Sequence, residues 1–70
     1  MAIYKLVIRS MDPNEHKLHM VDYYCEADSR QQAREVFESN FGIGMHVVYG
    51  PVLNESNTPP DPTKLVTLKS

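Results

Sequence analysis

Residues 17–42 read KLHMVDYYCEADSRQQAREVFESNFG, and the hydrophobic period changes once inside that stretch. From Lys17 to Ala27 it is two: His19, Val21, Tyr23, Cys25 and Ala27 fall on one side, Leu18, Met20, Asp22, Tyr24 and Glu26 on the other. That alternation, with β-branched and aromatic side chains, is a strand with its better core face toward its end. At Asp28 the pattern turns helical. Ser29 followed three residues later by Gln32 is a capping box, in which the hydroxyl satisfies a free N–H of the first turn. Ala33, Val36, Phe37 and Asn40 then recur on one side. Arg30, Arg34, Glu35 and Glu38 lie toward solvent, with Arg34 and Glu38 spaced as an i,i+4 pair. Gly42 suits the position after the last turn, where φ turns positive, and Phe41 beside it can close over the helix end.

Working outward, Ala2 to Arg9 also alternates, with Tyr4, Leu6 and Ile8 against Ile3, Lys5, Val7 and Arg9. It is a strand, and Asp12-Pro13-Asn14 supplies turn chemistry for a hairpin to the next one. Met45 to Tyr49, extending toward Leu53, is a third strand in which Gly50-Pro51 is either a break or an edge bulge. Residues 55–63 carry Asn, Ser, Thr and three Pro and no large apolar side chain, the composition of an extended linker. Residues 64–70 return to strand-like composition in Leu65-Val66-Thr67-Leu68. The expected fold is α+β: an antiparallel sheet of three to four strands with one helix on one face, in the order β-β-α-β(-β). Residues 1–54 form its single domain, and the C-terminal segment needs a sheet edge on which to dock, its own or another chain's.

The whole chain is 70 residues, with 41% apolar side chains, one Cys, no Trp and a formal charge of −2. A core of this size rarely supplies more than about 3–5 kcal/mol of net stability, so support from outside the monomer is expected. One Cys excludes an internal disulfide, and three scattered His argue against a structural metal, which leaves self-association or a partner. The charge is +1 over residues 1–17, −4 over 18–55 and +1 over 56–70, so no basic face for phosphates is implied. Nucleic acid is therefore not the expected partner. Lys5 and Arg9 interrupt the first apolar run, and no stretch approaches the ~20 apolar residues of a membrane span. The expectation is a cytoplasmic chain with no membrane partner, and a lone Cys25 fits a reducing compartment.

Residues able to carry chemistry are few. His16 and His19 have an H-x-x-H spacing, but three residues apart on a strand they point to opposite faces and cannot share a metal. Cys25 and His46 are the one nucleophile-and-base pair available, on strands that could be neighbours. Against this, a free Cys usually packs as a small hydrophobe, and nothing nearby lowers its pKa. Gly42-Ile43-Gly44 follows a helix instead of preceding one, so its N–H groups do not cradle phosphate. No catalytic residue, cofactor or metal is expected.

The informative feature is that the strands have two apolar faces. One helix covers one face, leaving Ile3, Val7, Leu18, Met20 and Tyr24 on the other, with Leu65, Val66 and Leu68 of the C-terminal segment as further candidates for an interface. This predicts a non-enzymatic protein–protein interaction module, a homodimer or a chain docked on a larger protein, in the manner of a phage or mobile-element inhibitor or adaptor of host machinery. The alternative is a small nucleic-acid-associated protein that stacks single strands on Tyr23, Tyr24 and Tyr49, although acidic Asp22 and Glu26 flank the first two.

The run Glu26-Ala27-x-Ser29-x-x-x-Ala33-x-Glu35-x-Phe37-x-x-x-Phe41-Gly42 resembles the strand-to-helix passage of small ββαβ modules, among them the archaeal ribosomal protein LX family. It spans under a third of the chain. The basic character of a ribosomal protein is missing, and the shared elements are ones any such unit needs.

Overall fold

A computed structural model describes residues 1–12, 14–55 and 61–69. Its elements are β1 (Ala2–Asp12), β2 (Lys17–Ala27), α1 (Arg30–Phe41), β3 (His46–Leu53) and a single 3₁₀ turn at Pro62–Lys64. The strands form one antiparallel sheet in the order β2-β1-β3. β2 and β3 thus run parallel with β1 between them, and α1 is the crossover that joins them, a split β-α-β arrangement.

The expected β1 stopped at Arg9, whereas the strand continues through Asp12. The reason is pairing: all eleven residues match β2 in unbroken register, from Ala2 opposite Ala27 to Asp12 opposite Lys17. His16 closes the hairpin with φ of 56°, a left-handed conformation uncommon for a side chain with a Cβ. The expected fourth strand is reduced to one parallel bridge, Tyr24 to Leu65, among the described residues. Part of the expected linker, residues 56–60, lies outside the described residues.

Packing sorts the faces. Leu6 and Ile8 of β1 and Cys25 and Ala27 of β2 are buried against Ala33, Val36 and Phe37 of α1, with Tyr4, Tyr23, Phe41, Met45 and Val66 around them. Ser29 caps the helix by accepting from the Gln32 N–H at 3.1 Å, and the Gln32 side chain accepts in return from the Asp28 N–H. At the other end Gly42, with φ of 85°, donates to the Glu38 carbonyl, and the Phe41 ring meets Tyr23 at 4.5 Å between centroids. Arg34 and Glu38 pair at 2.9 Å, as their spacing predicts.

β3 is an edge strand with two irregularities. Val7 is opposite Tyr49 and Ile8 opposite Val47, so an extra residue sits at Val48; Lys5 is opposite Val52, so another lies at Gly50-Pro51. Of the two readings expected for Gly50-Pro51, a break or an edge bulge, the strand takes the bulge. Gly50 has φ of 94°, and a Cβ there would fall 2.5 Å from the Lys5 carbonyl oxygen, so only glycine fits. The Pro51 carbonyl accepts from Arg30 Nε at 2.9 Å, tying the helix start to this edge.

Candidate interaction site

The distal hairpin is bare on both faces, because α1 packs on one face only and on that face is shorter than the strands. Eleven-residue strands reach about 35 Å at the usual rise, and the longest dimension of the molecule is 37 Å, whereas a twelve-residue helix is about 18 Å long. One helix covers only the half of the hairpin nearest its own N-terminus. The distal half is bare, and Lys17 to Met20 are exposed without interruption.

Side chains on the helix-free face follow from register, since residues directly opposite share a face. Met11 is opposite Leu18 and Arg9 opposite Met20 across the hairpin, while Val7 is opposite Tyr49 and Arg9 opposite His46 toward β3. Four large apolar side chains are open there: Met11 at 59%, Leu18 at 58%, Met20 at 71% and Tyr49 at 56% exposure. Charge on this face is nearly balanced locally, with Lys5 Nζ 3.7 Å from Asp22 Oδ2.

The residues expected at an interface divide into three groups. Leu18 and Met20 are open, and Val7 is half-buried beside them. Ile3 and Tyr24 lie on the same face but at its other end, and only 2% and 5% of their surface is accessible, so they offer no docking area. Leu65 and Val66 are half-buried against this chain's own sheet edge, and Leu68 is exposed. Met11 and Tyr49 were not among the expected interface residues. Continuing the alternation of β1 past Arg9 finds Met11, whereas Tyr49 depends on the bulge at Val48, which reverses its face and has no sequence signal of its own.

The C-terminal segment lies along the outer edge of β2. The Val66 N–H donates to the Tyr24 carbonyl at 2.8 Å, Asn40 Nδ2 donates to the Thr67 carbonyl at 2.7 Å, and the Lys69 N–H donates to Ser39 Oγ at 3.0 Å. Lys64 Nζ sits 5.4 Å from the Tyr23 ring centroid, a cation–π contact. An open cleft of about 440 Å³ remains between this segment and α1, with Met1, Val36, Leu65 and Leu68 among its walls.

The chemically reactive candidates are not brought together. Cys25 is fully buried on the helix side, with its thiol 3.9 Å from the Ala33 carbonyl, and burial pushes its pKa up to about 11. His46 is opposite Arg9 on the helix-free face, so it cannot serve Cys25 as a base. His19 Nε2 lies 3.7 Å from Glu15, and among the described residues no three His, Cys, Asp or Glu side chains gather as metal ligands. Of the three tyrosines expected to stack on bases, Tyr24 is buried and Tyr23 packs on Phe41, which leaves Tyr49 open. Among the described residues no helix is long and apolar enough to cross a membrane. Compared with family models, with curated proteins and with solved structures, the chain matches none.

Proposed function

We propose that this chain is a non-enzymatic protein–protein interaction module that works through the helix-free face of its distal hairpin. One observation carries the reading: Met11, Leu18 and Met20 stand exposed together at the distal end of the sheet face that carries no helix. Exposed apolar area concentrated in this way is the mark of a binding surface. A domain with so small a core also gains stability when that surface is covered.

The primary form of the reading is self-association. Docking of the same face on a larger protein, as an inhibitor or adaptor of the kind encoded by phages and mobile elements, is its second form. Cys25 is walled off from His46, and this supports a role in binding instead of catalysis. The test is light scattering on the full chain and on Met11→Glu over a wide concentration range. The expected result is a mass above that of the monomer that returns to it in the variant. A chain that stays at monomer mass throughout, with Met11→Glu indistinguishable from it, overturns self-association through this face.

A further inference from the structure

We propose that two copies of the chain join edge to edge through β2, antiparallel, with Leu18 of one copy opposite Met20 of the other, giving one continuous six-stranded sheet. This rests on self-association of the chain, but it places the joint at the edge of the sheet beside the open face, which it leaves uncovered.

β2 is an outer strand whose eleven residues keep an unbroken register with β1. In an antiparallel ladder each residue points both its N–H and its C=O to one neighbour, and successive residues alternate. The Tyr24 carbonyl accepts from Val66 on the outer side, which fixes the phase. Leu18, Met20 and Asp22 therefore also point their backbone groups outward. Among the described residues nothing hydrogen-bonds to those outward groups. The C-terminal segment makes a single bridge at the Tyr24 end of this edge, and the half from Lys17 to Asp22 is open. The opposite edge is unlike it: β3 carries bulges at Val48 and at Gly50-Pro51, devices that blunt an edge against pairing.

A second copy is the occupant that this edge fits. A two-fold axis normal to the sheet makes any antiparallel edge complementary to itself in backbone, provided that side chains of the same face stand opposite each other. Every register centred on a residue meets that condition, and two of them are centred in the middle of the open half. Centred on Met20, the pairing sets Met20 against itself but Leu18 twice against Asp22, an apolar group against a carboxylate. Centred on His19, it sets Leu18 against Met20 twice, on the face where both are exposed. The second register is the one favoured by cross-strand pairing. It makes four backbone hydrogen bonds, all from Leu18 and Met20, and it ends naturally at His16, whose positive φ leaves the extended conformation. The two copies of His19 then face each other across the axis in a non-hydrogen-bonded pair, with Cα atoms about 4.5 Å apart.

That last feature supplies the test. In the full-length chain, His19→Cys is oxidised mildly and run on a non-reducing denaturing gel beside Lys17→Cys and Val21→Cys. An antiparallel pair at ~4.5 Å is within disulfide reach, so His19→Cys is expected to cross-link readily, while each control, opposite the other residue type instead of itself, lags well behind. Cys25, fully buried, is a silent bystander. A second measurement compares Met20→Pro with Met20→Ala by light scattering after far-UV dichroism shows both folded. Proline removes an outward N–H that β1 does not use, so it alone is expected to weaken the dimer, roughly tenfold or more beyond the alanine effect. Cross-linking no better at residue 19 than at 17 or 21, or equal loss in the two Met20 variants, overturns the edge joint. If the wild-type chain nonetheless dimerises and Met11→Glu abolishes it, the face reading stands without the edge. A wild-type chain that is monomeric throughout overturns the pairing as well.

Discussion

The Val66 N–H donates to the Tyr24 carbonyl at 2.8 Å, and through that bond the chain's end closes on β2, the far edge of the sheet from β3. The attachment is sparse. Beyond this bond it depends on Val66 at the margin of the core and on two helix side chains, Asn40 and Ser39, that hold backbone atoms of Thr67 and Lys69. Backbone-directed latches of this kind position a segment without reading its side chains. They also let it open without the rest of the domain.

Removing one latch should therefore release the segment locally. Asn40→Ala is expected to cost about 1 kcal/mol, the usual net value of one hydrogen bond. Amide exchange at Val66 and Lys69 should rise several-fold while Leu6 and Cys25, in the core ladder, keep their protection. Equal acceleration at both places would show that the segment and the sheet open as one unit.

The turn that leads into the segment is expected to respond to acid. Asp61 accepts from the Thr63 hydroxyl at 2.6 Å and from the Thr63 N–H at 3.0 Å, and these two bonds, with Lys64 nearby, hold its carboxyl below the usual carboxylate range. A depressed pKa stabilises the folded turn above the unfolded value of about 4, and the contribution is lost as pH falls through the lower folded value. The protection of the Thr63 amide, its exchange relative to free peptide at the same pH, should fall below that point in the wild-type chain. In Asp61→Ala the exchange should be fast already at neutral pH, with no acid step remaining.

Cys25 gives the opposite sign. Its folded pKa of about 11 exceeds that of a free thiol near 8.5. The stabilisation is complete below the free value and lost as pH rises through the folded one, because the unfolded chain ionises first. Urea midpoints should fall as pH rises above 9, and Cys25→Ala should remove that slope. A thiol reagent at pH 8 should label native Cys25 only at the rate of opening, and rapid labelling would show the thiol to be accessible.

Much of this was legible in the sequence. Period-two alternation in β2, the Ser29–Gln32 cap and the Gly42 stop are local signals, and local signals suffice for three strands, one helix and the core face. Non-local facts were not legible. Ile3 and Tyr24 follow the same alternation as Val7 and Met20, yet only the first two are buried, and Tyr24 lies at the end of β2 that the C-terminal segment joins, a non-local contact. Tyr49 joins the open face only because an extra residue at Val48 shifts the pairing, and no single residue type announces that bulge.

The second bulge makes the sharpest stability prediction. At Gly50 the backbone turns through φ of 94°, and a Cβ would stand 2.5 Å from the Lys5 carbonyl oxygen and 3.2 Å from the Val52 nitrogen, both of them backbone atoms that cannot rotate away. Gly50→Ala must therefore move β3 relative to β1 or hold strained geometry, a cost of about 1–3 kcal/mol, which is a large part of the stability of so small a core. Gly44 is the internal control. It has no neighbour within 4 Å of its added Cβ and no positive φ, so Gly44→Ala should be neutral or stabilising by up to about 1 kcal/mol through the unfolded chain. Urea unfolding of the two variants side by side decides the matter, because both replace a hydrogen by a methyl group and differ only in what that methyl meets. If Gly50→Ala matched Gly44→Ala, the close approach of β3 to Lys5 would not exist in solution. The placement of Tyr49 opposite Val7, which depends on the same stretch of β3, would fall with it.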